Sequence, residues 1–162
     1  MIEFFVPGKA ATAGSKKAFY VKKLKRAIIT HDSKKTKPWM NTVKFFAMAE
    51  YQGLLLCGPV KLTMEFRRLR PKGHYGSGKN AHTLIKAGIE APLPITKPDL
   101  TKLVRAAEDA LKGVIWRDDS QVCIQETRKV YVDRDPGVQI QISEIIESKE
   151  VGLFGKDAQN GT

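Results

Sequence analysis

Val60, Leu62, Met64 and Phe66 alternate with Lys61, Thr63, Glu65 and Arg67, a period of two that predicts a strand with one buried face. Val122 to Val132 and Val138 to Ile146 also read as strands, and Asp133-Arg134-Asp135-Pro136-Gly137 between them reads as the turn of an antiparallel hairpin. Shorter strands are expected at residues 2–6, stopped by Pro7-Gly8, at Phe19-Tyr20-Val21, at Ala27-Ile28-Ile29-Thr30 and at Val114-Ile115-Trp116. Elsewhere the period shifts to that of a helix. Pro38 opens a helix over 38–52 with Trp39, Val43, Phe46 and Ala47 on its core face. A second helix starts at Asp99, with Leu100, Leu103, Ala107, Ala110 and Leu111 on one face. Thr101, Arg105, Glu108 and Lys112 lie opposite, flanked by Lys102 and Asp109.

Residues 70–96 are rich in turn formers and read as a long, irregular, moving loop whose His74, Tyr75 and His82 are surface residues. Gly73 to Lys79 matches the spacing of a phosphate-binding loop, but Asn80 replaces the metal-binding hydroxyl and no strong helix follows, so a nucleotide site is rejected. The mixture of strands and helices, without internal repeats, gives an α+β fold class. One domain is expected over residues 1–147, followed by a loose tail over 148–162 that is short of core residues apart from Leu153 and Phe154.

Charge narrows the function. The chain carries +11 overall, and residues 1–117 hold 23 basic and 8 acidic residues against 5 and 9 in 118–162. Such a field favours a polyanion through phosphate contacts and counterion release. Nine of the residues between Ser15 and Lys37 are Lys or Arg, which reads either as a solvated pair of strands or as a phosphate-tracking surface. No apolar run approaches the roughly 20 residues a spanning helix requires, so no membrane role is expected. The N-terminus lacks a signal-peptide pattern, which predicts a cytoplasmic protein. Cys57 and Cys123 are isolated in apolar surroundings and are expected as reduced core thiols.

Within this basic chain the carboxylates Asp99, Asp118 and Asp119 stand out. Each has a structural alternative: Asp99 as a helix N-cap, Asp118 and Asp119 as turn residues. Together, a helix start and an adjoining strand end can bring carboxylates close across about 20 residues, and hard carboxylate oxygens suit Mg²⁺ or Mn²⁺ acting on a phosphate. Arg105, one turn beyond Thr101, can meet phosphate charge or pair with Glu108 or Asp109 at helical spacing.

Lys97-Pro98-Asp99-Leu100, Asp109-Ala110-Leu111 and Trp116-Arg117-Asp118-Asp119-Ser120-Gln121-Val122 strongly resemble RusA-type Holliday junction resolvases, especially phage and prophage members. Phe5-Val6-Pro7-Gly8, Gly14-Ser15-Lys16-Lys17 and Gly78-Lys79-Asn80-Ala81-His82 add to the resemblance, which runs from about residue 3 to 146. It implies a mixed sheet with helices packed on it, a homodimer, and a Mg²⁺-dependent endonuclease, with Mn²⁺ as a substitute. Such an enzyme places symmetric nicks in four-way or branched DNA during recombination and repair. Two coordinated cuts on a two-fold substrate need two sites related by a matching axis.

The same resemblance implies Asp99 and Asp119 as catalytic metal ligands and Arg105 as the catalytic cation, in place of a family Lys. Thr101 stands where many members have a second Asp, so Thr101, Asp109 or Asp118 is left to supply the missing oxygen. The alternative is a junction-binding module that cuts poorly or not at all. Lys16, Lys17, Lys22, Lys23, Arg70, Lys72, Lys79 and Lys102 are the expected DNA-binding residues.

Overall fold

The computed structural model describes residues 1–14, 16–31 and 34–146. The expected tail over 148–162, with Leu153 and Phe154, lies outside the described residues. The alternating segment forms the central strand of the main sheet, and Val60, Leu62, Met64 and Phe66 are all buried. In chain order the elements are β1 (Ile2–Pro7), β2 (Lys16–Val21), β3 (Arg26–His31), α1 (Thr36–Glu50), β4 (Val60–Leu69), α2 (Lys86–Ile89), α3 (Leu100–Leu111), β5 (Val122–Val132) and β6 (Gly137–Glu144).

The fold is α+β. A mixed four-stranded sheet runs in the order β1-β6-β4-β5, and β2 and β3 form a separate antiparallel pair. Helices α1 and α3 pack on one another, with α1 also against β1 and α3 against β5. The core lies between the helices and the inward residues of the sheet, with Leu103, Leu111, Trp116, Phe66 and Ile140 fully buried. Each such side chain contributes about 1.5–3 kcal/mol by leaving water. The other face of the sheet is polar. There Glu65 accepts from Arg67 Nε at 2.9 Å and from Arg128, and Glu3 accepts from Gln139 and Gln141.

The structure corrects four expectations. Strands β5 and β6 do not form a hairpin: β4 lies between them, parallel to β5 and antiparallel to β6. The 133–136 link steps across the end of β4, where Arg70 N donates to Val132 O at 3.0 Å and Gly8 N to Pro136 O at 2.7 Å. A turn signal is local, whereas the demand of an apolar strand for partners on both edges is not. Residues 114–116 form no strand, only isolated bridges from Trp116 to Leu56 and Lys112. Cys57 and Cys123 are exposed rather than core thiols.

The fourth correction concerns residues 70–96, which are not one irregular loop. They contain short helical turns at Lys72–His74 and Gly78–Asn80, the helix α2 and a bridge between Tyr75 and Leu84. One side chain organises them. Arg70 Nη1 donates to Gly88 O and Ala91 O, both at 3.1 Å, while its guanidinium stacks 4.7 Å from the Tyr131 ring centroid. Gly88 is required there, because a Cβ would meet His74 O at 2.4 Å.

Candidate active site

Helix α3 buries Leu103, Val104, Ala106, Ala107, Ala110 and Leu111 and leaves Thr101 and Arg105 exposed one turn apart. Among the described residues Arg105 makes no ion pair, so the pairing with Glu108 or Asp109 allowed by helical spacing is not formed.

Asp99 occupies the residue before α3 with extended backbone, φ −69° and ψ 136°, but its side chain makes no capping bond. It pairs instead with Lys102 Nζ at 2.9 Å. That bond, then the charges of Lys102, Lys97 and Lys129, hold its carboxyl below the ordinary range. The segment leading into Asp99 is pinned from the sheet. Arg68 Nη1 donates to Thr96 O at 3.1 Å, and Lys129 Nζ donates to Thr96 O at 3.1 Å and Pro98 O at 3.0 Å.

The other end of α3 is built differently. Gly113, at φ +73°, ends the helix in a conformation that side chains rarely adopt, and Trp116 returns to the core. Trp116 Nε1 donates to Asp119 Oδ1 at 3.2 Å, orienting that carboxylate. Asp118 caps the turn Asp119–Gln121 by accepting from Ser120 N at 3.1 Å. Gln121 Oε1 accepts from the backbone N–H groups of Arg117 and Asp118, while its amide nitrogen donates to Leu56 O and Gly58 O at 2.8 and 3.1 Å.

Lys112 Nζ lies 2.5 Å from Asp118 Oδ2 and 3.9 Å from Asp119 Oδ2. Its hydrogen bond is the chief reason that Asp118 falls to about 2, helped by the Ser120 bonds. Glu108, half-buried in the last turn of α3, accepts from Gln125 Nε2 at 2.7 Å. Burial first, then the charges of Asp119 and Asp109, push its carboxyl above the usual range.

The sequence-predicted site residues therefore separate into two groups. Asp99, Thr101 and Lys102 lie at the start of α3, whereas Asp109, Asp118 and Asp119 lie around its end beside Glu108. Glu108 lies nine positions after Asp99, about 14 Å along the helix. Among the described residues no three of His, Cys, Asp and Glu converge to hold a metal ion. The oxygen donors suit Mg²⁺ or Mn²⁺ in kind, but one chain does not gather Asp99 and Asp119 into one site.

The expected DNA-binding residues also divide. Lys22 and Lys23 are exposed on the turn joining β2 to β3, and Lys72 and Lys79 are exposed on the helical turns after β4. Lys16 and Lys17 lie on β2 opposite His31 and Thr30. Arg70 points inward as the clamp of the 70–96 segment, and Lys102 is paired with Asp99. His74 packs edge-on to Tyr131, and the Tyr75 hydroxyl donates to Asp133.

Sequence reasoning missed Lys112, Trp116, Gln125, Arg68 and Lys129 as parts of the site's surroundings. Only Trp116 carried a signal, its place three residues before Asp119. No helix is long and apolar enough to cross a membrane among the described residues.

Comparison with known proteins agrees in extent with this architecture. Residues 8–143 match the family model described as Endodeoxyribonuclease RusA, a span covering β2 through most of β6. The chain is also 31% identical over 114 residues to YqaN of Bacillus subtilis (strain 168), a protein described as uncharacterized, covering 70% of this chain and 78% of YqaN.

Proposed function

The chain belongs to the RusA endodeoxyribonuclease family, and from that premise we propose that it is a Mg²⁺-dependent endonuclease that resolves Holliday junctions by paired symmetric nicks. Membership implies nuclease activity on DNA. Four-way selectivity, the metal, a role in phage or host recombination and repair, a cytoplasmic setting and the homodimer are the proposal.

The observation that carries it is the open side of α3. A carboxylate stands at each end of that side, the exposed Asp99 and the half-buried Asp119, with the exposed Arg105 between them, in a chain of +11. Since one chain holds the two carboxylates apart, each site takes Asp99 from one copy and Asp119 from the other. The two-fold axis of a homodimer then generates two equal sites for two nicks.

In this reading Asp99 and Asp119 hold the ion, with Thr101 or Asp109 adding an oxygen. Bound Mg²⁺ supplies a water of lowered pKa and offsets phosphate charge. Lys102 holds Asp99 ionised and positioned before DNA arrives, and Trp116 fixes the rotamer of Asp119. Arg105 meets the phosphate as an always-charged donor; it neutralises charge and does not shuttle a proton. Lys16, Lys17, Lys22 and Lys23 on the β2-β3 arm, with Lys72 and Lys79, track the phosphates that locate the branch. Shape supplies the selectivity.

One observation favours a second reading. Thr101 offers a hydroxyl where many members carry a carboxylate, which suits a junction-binding module with weak or absent cleavage. A labelled four-way junction and a linear duplex of equal length, incubated with Mg²⁺, Mn²⁺ or EDTA, separate the two. Paired nicks on the junction in either metal and none in EDTA are expected; tight binding without nicks in any metal would establish the module instead.

A further inference from the structure

The segment from Pro7 to Gly14 has no part in the reading above, yet the fold places it against the start of α3. Gly8 turns the chain with φ +110° and donates to Pro136 O, and Ala13 N donates to Lys102 O at 2.9 Å. Beneath it lies a cavity of about 190 Å³. The buried Phe66 and Leu103 close its floor, Ala10, Leu69 and Pro98 line its walls, and Lys9 and Arg68 are among its lining cations. Pro98 is the residue before Asp99, so one wall of the cavity adjoins the backbone that carries the first carboxylate of the candidate site. Its wall is fixed, because Lys129 and Arg68 hold the carbonyls of Thr96 and Pro98 from the sheet.

We propose that this cavity receives one unstacked nucleotide of the DNA strand whose phosphate lies at Asp99, with the base against Ala10, Leu69 and Pro98 and its phosphates toward Lys9 and Arg68. The proposal rests on the nuclease reading for its placement of the strand. An apolar base with a cationic rim complements a nucleobase joined to phosphates. Stacking on an apolar or aromatic surface accepts any base, and extrusion costs least where pairing is already interrupted, as at a branch point. The cavity is too small for a duplex, which confines it to a single extruded residue.

The test uses junctions carrying one abasic residue at each position within three nucleotides of the nick, cut by the wild-type protein and by Ala10→Phe, which fills the cavity. At one position the abasic residue is expected to slow wild-type nicking about tenfold. Ala10→Phe is expected to nick intact and abasic junctions at equal rates. A 2-aminopurine at that position, read in EDTA, is expected to brighten on binding the wild type and not on binding Ala10→Phe. Wild-type nicking unaffected by any abasic residue, or a 2-aminopurine signal unchanged at every position, would overturn the cavity assignment. Absence of nicking with the 2-aminopurine signal intact would instead remove the nuclease reading and leave the cavity as a binding site.

Discussion

The two ends of α3 hold the same kind of side chain in opposite electrostatic settings. At the start, Asp99 sits among Lys102, Lys97 and Lys129, which stabilise its charge. At the end, Asp119 sits near Glu108 and Asp109; burial and then the repulsion of Asp119 and Asp109 push Glu108 upward, with Lys112 as the nearby cation. The first end is prepared to stay ionised beside a phosphate. The second carries crowded negative charge that a proton, a lysine or a divalent cation can relieve. A site taking one carboxylate from each end would join a ligand set among lysines to one set beside other carboxylates.

The largest expected effect breaks the comparison at both ends. Asp119→Asn and Asp99→Asn should each lower junction nicking by at least about a hundredfold, while junction binding stays near that of the wild type, as gel-shift and nicking assays on the same samples would record. Retained cleavage by either variant removes that end from the mechanism.

Adding charge to the first end sharpens the contrast. Thr101→Asp should increase nicking at limiting Mg²⁺ roughly tenfold, since another carboxylate oxygen strengthens binding of a hard cation. Titrating Mg²⁺ against nicking rate checks this, and an unchanged midpoint would place Thr101 outside the ligand set.

A smaller effect concerns Lys112. Asp118 is held at about 2, chiefly by that lysine, so the stability it contributes is present above the ordinary carboxylate value of 3.8 and lost as pH falls from there toward 2. Lys112→Met should return the Asp118 carboxyl toward 3.8 in a carbon-detected NMR titration and flatten that acid limb of the stability curve.

Glu108 has the opposite sign. Its pKa is raised in the folded state, so its ionisation opposes folding as pH rises through the raised value, and below the ordinary 4.5 there is no penalty. Glu108→Gln should therefore be more stable than the wild type near neutrality, by no more than about 1 kcal/mol because the group is half open to solvent. Denaturant melts at neutral pH and at pH 4 should show that difference closing in acid; a loss of stability at neutral pH would mean that the Gln125 bond outweighs the repulsion.

Where a residue's neighbours lie close in sequence, its setting was legible. The alternation of Val60 to Phe66, the apolar face of α3 and the strand from Val122 to Val132 reappear with nearly the predicted bounds, because each depends on one repeating pattern. The order of strands did not follow, since inserting β4 between β5 and β6 joins residues 62 to 84 positions apart. The 70–96 segment looked irregular because its order comes from the inward-turned Arg70, a residue type whose usual place is at the surface. The candidate site shows the same limit. Motif spacing singled out Asp99, Asp118 and Asp119 and the helix between them, but not that α3 holds the two groups apart, nor that Glu108, Lys112 and Trp116 surround the second group.

The most direct test of a site shared between copies mixes two inactive proteins. Asp99→Asn and Asp119→Asn, unfolded together, refolded and given a labelled four-way junction with Mg²⁺, form heterodimers. If each site takes Asp99 from one copy and Asp119 from the other, one of the two sites in every heterodimer is intact, and single nicks should appear that neither variant makes alone. If both carboxylates act within one chain, every site in the mixture carries a defect, and absence of nicking from a mixture shown to contain heterodimer would contradict the account.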